Sequence, residues 1–186
     1  MGEGRRAYRE EGLSRWVTRL RNYQEENNNM TNQNSAFHLP ADTGPSYWGP
    51  GDRYTFLVTG AQTNGAYFIM EAIVPAGGGP PPHIHHREEE SFYLLEGTLD
   101  ITLGQKTVKA TTGDFVQIPR GTVHAFRNAG NTTARMLILF SPAGMDKYFE
   151  EVLEPVQNRS AAIPSVTDAL IGCMVGAGPK HGIEFV

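Results

Sequence analysis

The chain has a single cysteine, Cys173, so no disulfide can close within it, and the sequence reads as that of a protein from a reducing, cytoplasmic compartment. It also lacks any apolar run approaching the roughly 20 residues that a membrane-spanning helix requires. Its first 29 residues have no central apolar stretch of the secretory kind. An excess of positive charge is missing too: 16 Lys and Arg stand against 20 Asp and Glu, a net charge of -4. Without a basic footprint, nucleic acid is not an expected partner. Internal repeats are absent, and 186 residues is the length of one domain.

Glycine and proline, by contrast, are plentiful at 21 and 12, and they punctuate a series of short β-like runs between Tyr47 and Leu139. Arg53–Thr59 and Ala66–Val74 flank Gln62-Thr63-Asn64-Gly65, where Asn-Gly signals a hairpin. Asp100–Leu103 and Lys106–Lys109 flank Gly104-Gln105, with glycine first as a type II′ turn requires. Pro80-Pro81-Pro82 lack amide donors and should deliver a stiff, unpaired lead into His83. Arg135–Phe140 reads as the last long strand. Beyond it, Met145, Tyr148, Phe149, Val152 and Leu153 recur at helical spacing up to Pro155. A second short helix is signalled by the capping pattern Ser165-x-x-Asp168, with Gly176 and Gly178 as stops, and Ile183–Val186 could return as a small strand. The expected division is an N-terminal arm over 1–29, then a single domain over 30–186 with its barrel core at about 47–141 and a helical extension at 145–186. The arm alternates arginine and glutamate, and reads as a solvated helix, a disordered segment, or the product of a start codon chosen too far upstream.

Chemistry concentrates in two segments, Gly77-x5-His83-x-His85-x4-Glu90-x6-Gly97 and Gly113-x5-Pro119-x-Gly121-x2-His124-x3-Asn128. Side chains alternate along a strand, so His83 and His85 face one side and Ile84 the other. Glu90 opens the alternating, aromatic run to Leu95 and can return its carboxylate from a neighbouring strand; His124 closes the set from a third. Three imidazoles and a carboxylate suit a borderline divalent transition metal: Fe, Ni, Mn, Co, Cu or Zn. Burying four such groups without a cation would be costly. Glu88 and Glu89 miss the spacing and read as solvated loop charges, His86 as a surface or supporting residue, and Cys173 as a small buried hydrophobe. His38 and His181 have no assigned role. Tyr54, Phe56, Phe68, Met70, Phe92, Leu94, Phe126, Leu137 and Leu139 are candidates for an apolar inner lining, most of them as ordinary core.

Ten motif positions at about one in twenty each put a chance match at a given alignment on the order of 10⁻¹³. The two segments resemble the two signature motifs of the cupin superfamily, and the flanking Arg53–Leu57 and Ser141–Gly144 resemble single-domain, quercetin dioxygenase-like cupins. That resemblance implies an all-β, double-stranded β-helix (jelly-roll) barrel with short C-terminal helices, and commonly a homodimer. It also implies a metal held by His83, His85, Glu90 and His124, with Glu90 as both ligand and catalytic base. The activity implied is a metal-dependent dioxygenase acting on a small, partly apolar or aromatic molecule. Two alternatives stand beside it: a non-oxidative isomerase or epimerase, for which inward Lys or Arg are scarce, and a small-molecule-binding protein without turnover.

Overall fold

The computed structural model describes residues 35–186, so the arm assigned to 1–29 lies outside the described residues. Among the described residues twelve strands and two helices follow in order: β1 Ser46–Trp48, β2 Arg53–Val58, β3 Phe68–Val74, β4 His83–His85, β5 Glu89–Glu96, β6 Thr98–Leu103, β7 Lys106–Thr111, β8 Phe115–Ile118, β9 His124–Arg127, β10 Ala134–Ser141, α1 Met145–Val152, β11 Glu154–Pro155, α2 Asp168–His181 and β12 Ile183–Phe185. They form a seven-stranded sheet, β11-β1-β2-β3-β10-β5-β8, and a five-stranded one, β12-β4-β9-β6-β7. Every pairing is antiparallel. The inner faces share one apolar core, which makes the molecule an all-β jelly roll.

Period-two alternation decides what enters that core. In β3, Phe68, Met70, Ala72 and Val74 are buried while their neighbours are not. Phe56, Phe68 and Phe140 stack through the middle, Phe56 edge-on to Phe68 at 4.7 Å and Phe68 parallel to Phe140 at 5.8 Å. Burying each such ring contributes about 1.5–3 kcal/mol. The β2–β3 turn has Asn64 and Gly65 at φ 53° and 80°, as an Asn-Gly turn demands, and Gly104 at φ 60° turns β6 into β7.

The two motif segments are tied together by backbone. Gly77 N–H donates to the Asn128 carbonyl and Asn128 N–H to the Gly78 carbonyl, at 2.8 and 3.0 Å. The buried Asn128 amide donates to the Val74 and Thr132 carbonyls, both at 2.8 Å, and accepts from Gly130 N–H. Asn128 is therefore a fully satisfied strut. Gly79, at φ 135°, lies so close to the Phe126 carbonyl that a Cβ would drive into it. Gly79→Ala is accordingly expected to lower stability by about 3 kcal/mol, from backbone strain plus that clash. A denaturation midpoint equal to wild type would contradict this.

Three expectations need correcting. Along β10 the inward residues are Met136, Ile138 and Phe140, and Leu137 and Leu139 lie on the half-buried outer face, so they do not line the interior. The second helix runs 14 residues rather than stopping at Gly176 or Gly178. Its N-cap is Thr167, whose Oγ1 accepts from Leu170 N–H at 3.2 Å, and it ends at Gly182 in the left-handed region. Glycines inside a helix cost only about 1 kcal/mol each, and tertiary contacts such as Tyr148 Oη donating to the Met174 carbonyl at 2.9 Å outweigh them. Cys173, on that helix, is exposed rather than buried. The expected C-terminal strand does form, and it pairs with β4.

Candidate metal centre

His83 and His85 sit on β4 with Ile84 turned away, Glu90 lies near the start of β5 in the other sheet, and His124 opens β9 opposite His83. The strands deliver these side chains to one point: a ligand atom from each of the four lies within 4.8 Å of the others, and all four residues are buried. Two turns hold the arrangement. The triproline lead places Pro81 O 2.9 Å from His83 Nδ1, and Gly121 N–H donates to the His85 carbonyl at 2.8 Å.

Each carbonyl can only accept, so it fixes a tautomer. His83 Nδ1–H donates to Pro81 O, and His124 Nδ1–H donates to Thr122 O, also at 2.9 Å, which leaves both Nε2 atoms to face the centre. His124 Nε2 is 2.6 Å from Glu90 Oε2 and His85 Nε2 is 3.5 Å from the same oxygen. With its Nδ1 proton committed, His124 can approach Glu90 so closely only with a second proton between them, and a bound cation would replace that proton.

Electrostatics agree with that reading. Burial, followed by the neighbouring His124 and His85, pushes His83 down to about 3. Burial likewise pushes His85 down to about 4 against the pull of Glu90. Both are held neutral, with lone pairs free to coordinate. Burial favours a neutral Glu90, but the His124 hydrogen bond and the three imidazoles outweigh it and hold the carboxyl below its ordinary range. Burial opposes charge on His124 as well, and Glu90 overcomes it and raises that imidazole. The set is compatible with a divalent metal ion, and neutral imidazoles with one carboxylate admit several of the first-row metals.

A cavity of about 30 Å³ adjoins His83, His85 and Glu90. Of the lining candidates, Tyr54, Met70 and Phe126 border it, whereas Phe56, Phe68, Phe92 and Leu94 are buried in the core behind it. Ile138 and Phe140 take the place of Leu137 and Leu139; Phe140 meets the His85 ring edge-on at 5.4 Å. The outer wall was not foreseen: Met145, Tyr148 and Phe149 from α1, Met174 from α2, and Ile183 and Phe185 from β12. The apolar stripe of α1 and the alternation Ile183-x-Phe185 announce buried faces, but neither says which end of the barrel they cover.

Glu89 is exposed and His86 is exposed with its Nε2 2.9 Å from Glu184, as expected of both. Glu88 is different: it is 3% exposed rather than solvated, with Oε2 lacking a hydrogen bond. Burial pushes it up to about 7. It packs against Gly144 at the start of α1, a contact between residues 56 positions apart that no local spacing reveals.

The cupin-domain family model matches residues 70–140, a span that holds all four candidate ligands. This chain carries a cupin domain. Among curated proteins, this cupin is 28% identical to the quercetin 2,3-dioxygenase of Bacillus subtilis over 121 residues, which is 60% of this chain and 35% of that protein. It is 33% identical to the tetracenomycin polyketide synthase protein TcmJ of Streptomyces glaucescens over 75 residues, 40% of this chain and 50% of that one. The chain thus spans between a third and a half of the length of these relatives. Among solved structures, KdgF from Halomonas sp. superposes with TM-score 0.54 at 18% identity, covering 61% of this chain and 99% of the other. An RmlC-like cupin from Shewanella frigidimarina gives 0.53 at 22% identity, covering 62% and 97%. These likenesses establish the fold. No helix among the described residues is long and apolar enough to cross a membrane.

Proposed function

We propose that this cupin is a metal-dependent dioxygenase of a small, partly apolar or aromatic organic molecule, with His83, His85, Glu90 and His124 as metal ligands. The observation that carries the reading is the convergence of four buried donor atoms within 4.8 Å beside an apolar cavity. Similarity to a protein named quercetin 2,3-dioxygenase favours this chemistry over others open to cupins. An isomerase of phosphorylated sugars fits less well, because among the described residues no Lys or Arg borders the cavity.

The metal, when bound, supplies Lewis acidity and access to O₂ chemistry at an enolate or hydroxy-ketone oxygen. The chain supplies the rest. His83 and His124 are held in one tautomer by Pro81 and Thr122, so their Nε2 atoms need no reorientation. Glu90 Oε2, 2.6 Å from His124 Nε2 and left as a free carboxylate oxygen once a cation replaces the proton between them, is the atom suited to take a hydroxyl proton from the substrate. Met70, Phe126 and Phe140 exclude water and offer flat apolar contact.

Oxygen uptake by protein loaded separately with Fe, Ni, Mn, Co and Cu tests this, with flavonols, β-diketones and catechols as substrates. Uptake matched by substrate loss is expected with at least one pair, reduced about 10²–10⁴-fold in Glu90→Gln. Absence of uptake with every pair sinks the proposal.

A further inference from the structure

The cavity beside the candidate ligands, at about 30 Å³, has room for about two waters. Two waters fill far less space than a flat, fused-ring aromatic molecule, so such a substrate comes to rest against the ligands only as a wall moves. The walls differ in how they are held. Tyr54, Met70, Ile138 and Phe140 stand on central strands of the seven-stranded sheet, each paired on both sides. Met174, Ile183 and Phe185 belong to the α2–β12 segment, Asp168–Val186, which joins the barrel only at the sheet edge.

That segment is a strap lying along the ligand strand. In register, Ile183 faces His85, Glu184 faces Ile84 and Phe185 faces His83, with the Phe185 ring 5.9 Å from the His83 ring. His86 N–H donates to the Gly182 carbonyl at 2.8 Å and Val186 N–H to the Pro82 carbonyl at 3.1 Å, closing the two ends of this three-residue ladder. The remaining polar ties are few, and Leu170, Ile171 and Ala177 of α2 pack against the core only partly buried. Tyr148 Oη donates to the Met174 carbonyl, and Lys180 and His181 meet Glu151 at 2.7 and 3.0 Å. Exposed pairs of that kind add little. Of the 14 residues of α2, only Met174 and Gly178 are buried. The segment leading into it, 156–167, carries neither helix nor strand; it is pinned at Arg159, whose carbonyl accepts from Arg53 Nη1 at 2.7 Å, and is mostly exposed beyond that point. A short ladder, a thinly buried helix and a long exposed tether are the attributes of a unit that opens without global unfolding.

We propose that α2–β12 is the gate of the metal site, and that Met174, Ile183 and Phe185 on its inner face set the size of the molecule admitted. The inference rests on the metal and substrate reading above. Closed, the strap admits ions of about two-water size; open, it uncovers the His83–His85 edge to a planar substrate.

A reversible lock tests it. Ile84 and Glu184 face each other across the ladder, where directly opposed Cα atoms lie about 5.5 Å apart, within reach of a disulfide. Ile84→Cys with Glu184→Cys is made in a Cys173→Ser background, so that only this pair can join. The probes are azide and tropolone, followed through the visible spectrum of the Co(II)-loaded protein. Oxidised, the protein should bind azide normally and tropolone at least about tenfold more slowly than when reduced with a phosphine. In Phe185→Ala, tropolone should bind at least about tenfold faster than in wild type. Equal tropolone rates in the locked and reduced forms would overturn the gate. If cobalt does not bind, the gate is still decided by amide hydrogen exchange on the wild-type chain. The His86 and Val186 amides should then exchange at least about 100-fold faster than those of β10. Exchange of these amides only at the β10 rate would overturn the proposal independently of any metal.

Discussion

Purified without chelator, the wild-type protein is expected to carry close to one transition metal per chain, and His85→Ala, His124→Ala and Glu90→Ala each to lose it, as elemental analysis would show. Each substitution removes one of four donors that stand within 4.8 Å of one another. Loss of Glu90 also removes the only carboxylate of the set and leaves three imidazoles facing each other, which weakens any cation they hold. The thermal consequence should be large. A ligand at a thousand times its dissociation constant stabilises the folded state by about 4 kcal/mol. At roughly 2–4 °C per kcal/mol for a chain of this size, chelator should lower the melting temperature by about 8–16 °C. The three variants should melt near the chelated wild type and respond little to chelator themselves. Metal retained in both His85→Ala and Glu90→Ala would remove the basis for the site.

The second large effect concerns Asp52, in the turn between β1 and β2. It is fully buried, its Oδ2 accepts from Tyr54 Oη at 3.2 Å, and its Oδ1 has no hydrogen bond. Burial pushes its carboxyl up to about 8, against the smaller opposing effect of Tyr54. An acid whose pKa is raised by folding holds a proton in the native state that the unfolded chain has already released. The stability it allows is complete below about pH 4 and is lost as pH rises to about 8, at up to about 1.4 kcal/mol per pH unit. Asp52→Asn, neutral throughout, removes that dependence. Relative to wild type it should therefore gain stability steadily from about pH 5 to pH 8, by several kcal/mol at most. Taking the difference between the two proteins cancels other titrating groups, Glu90 and His124 among them. A difference that stays flat across that range would show that Asp52 is charged in the folded protein.

The barrel was readable because its determinants are local. Period-two burial in β3 and the Asn64-Gly65 and Gly104 turns are each written within a few residues. The relation of His83 and His85 needs only strand alternation, and the reach of Glu90 and His124 follows once their segments are strands of one barrel. What escaped depends on contacts between distant residues. A one-residue phase separates Leu137 and Leu139 from Met136, Ile138 and Phe140 in a run that is apolar on both faces, so composition cannot choose between them. Glu88 is buried by Gly144, and Cys173 is exposed because α2 turns that flank outward. The outer wall of the cavity, built by Tyr148, Phe149, Met174 and Phe185, falls beyond the span that matches the cupin-domain family.

Glu90 is on the seven-stranded sheet, while His83, His85 and His124 are on the five-stranded one. An ion shared by the four would act as a rivet between two surfaces otherwise joined by side-chain packing, the connecting chain and the hydrogen bonds of Asn128. Drawn apart at constant speed, the loaded barrel should yield abruptly at coordinate bonds, and the stripped barrel should give way earlier and by sliding.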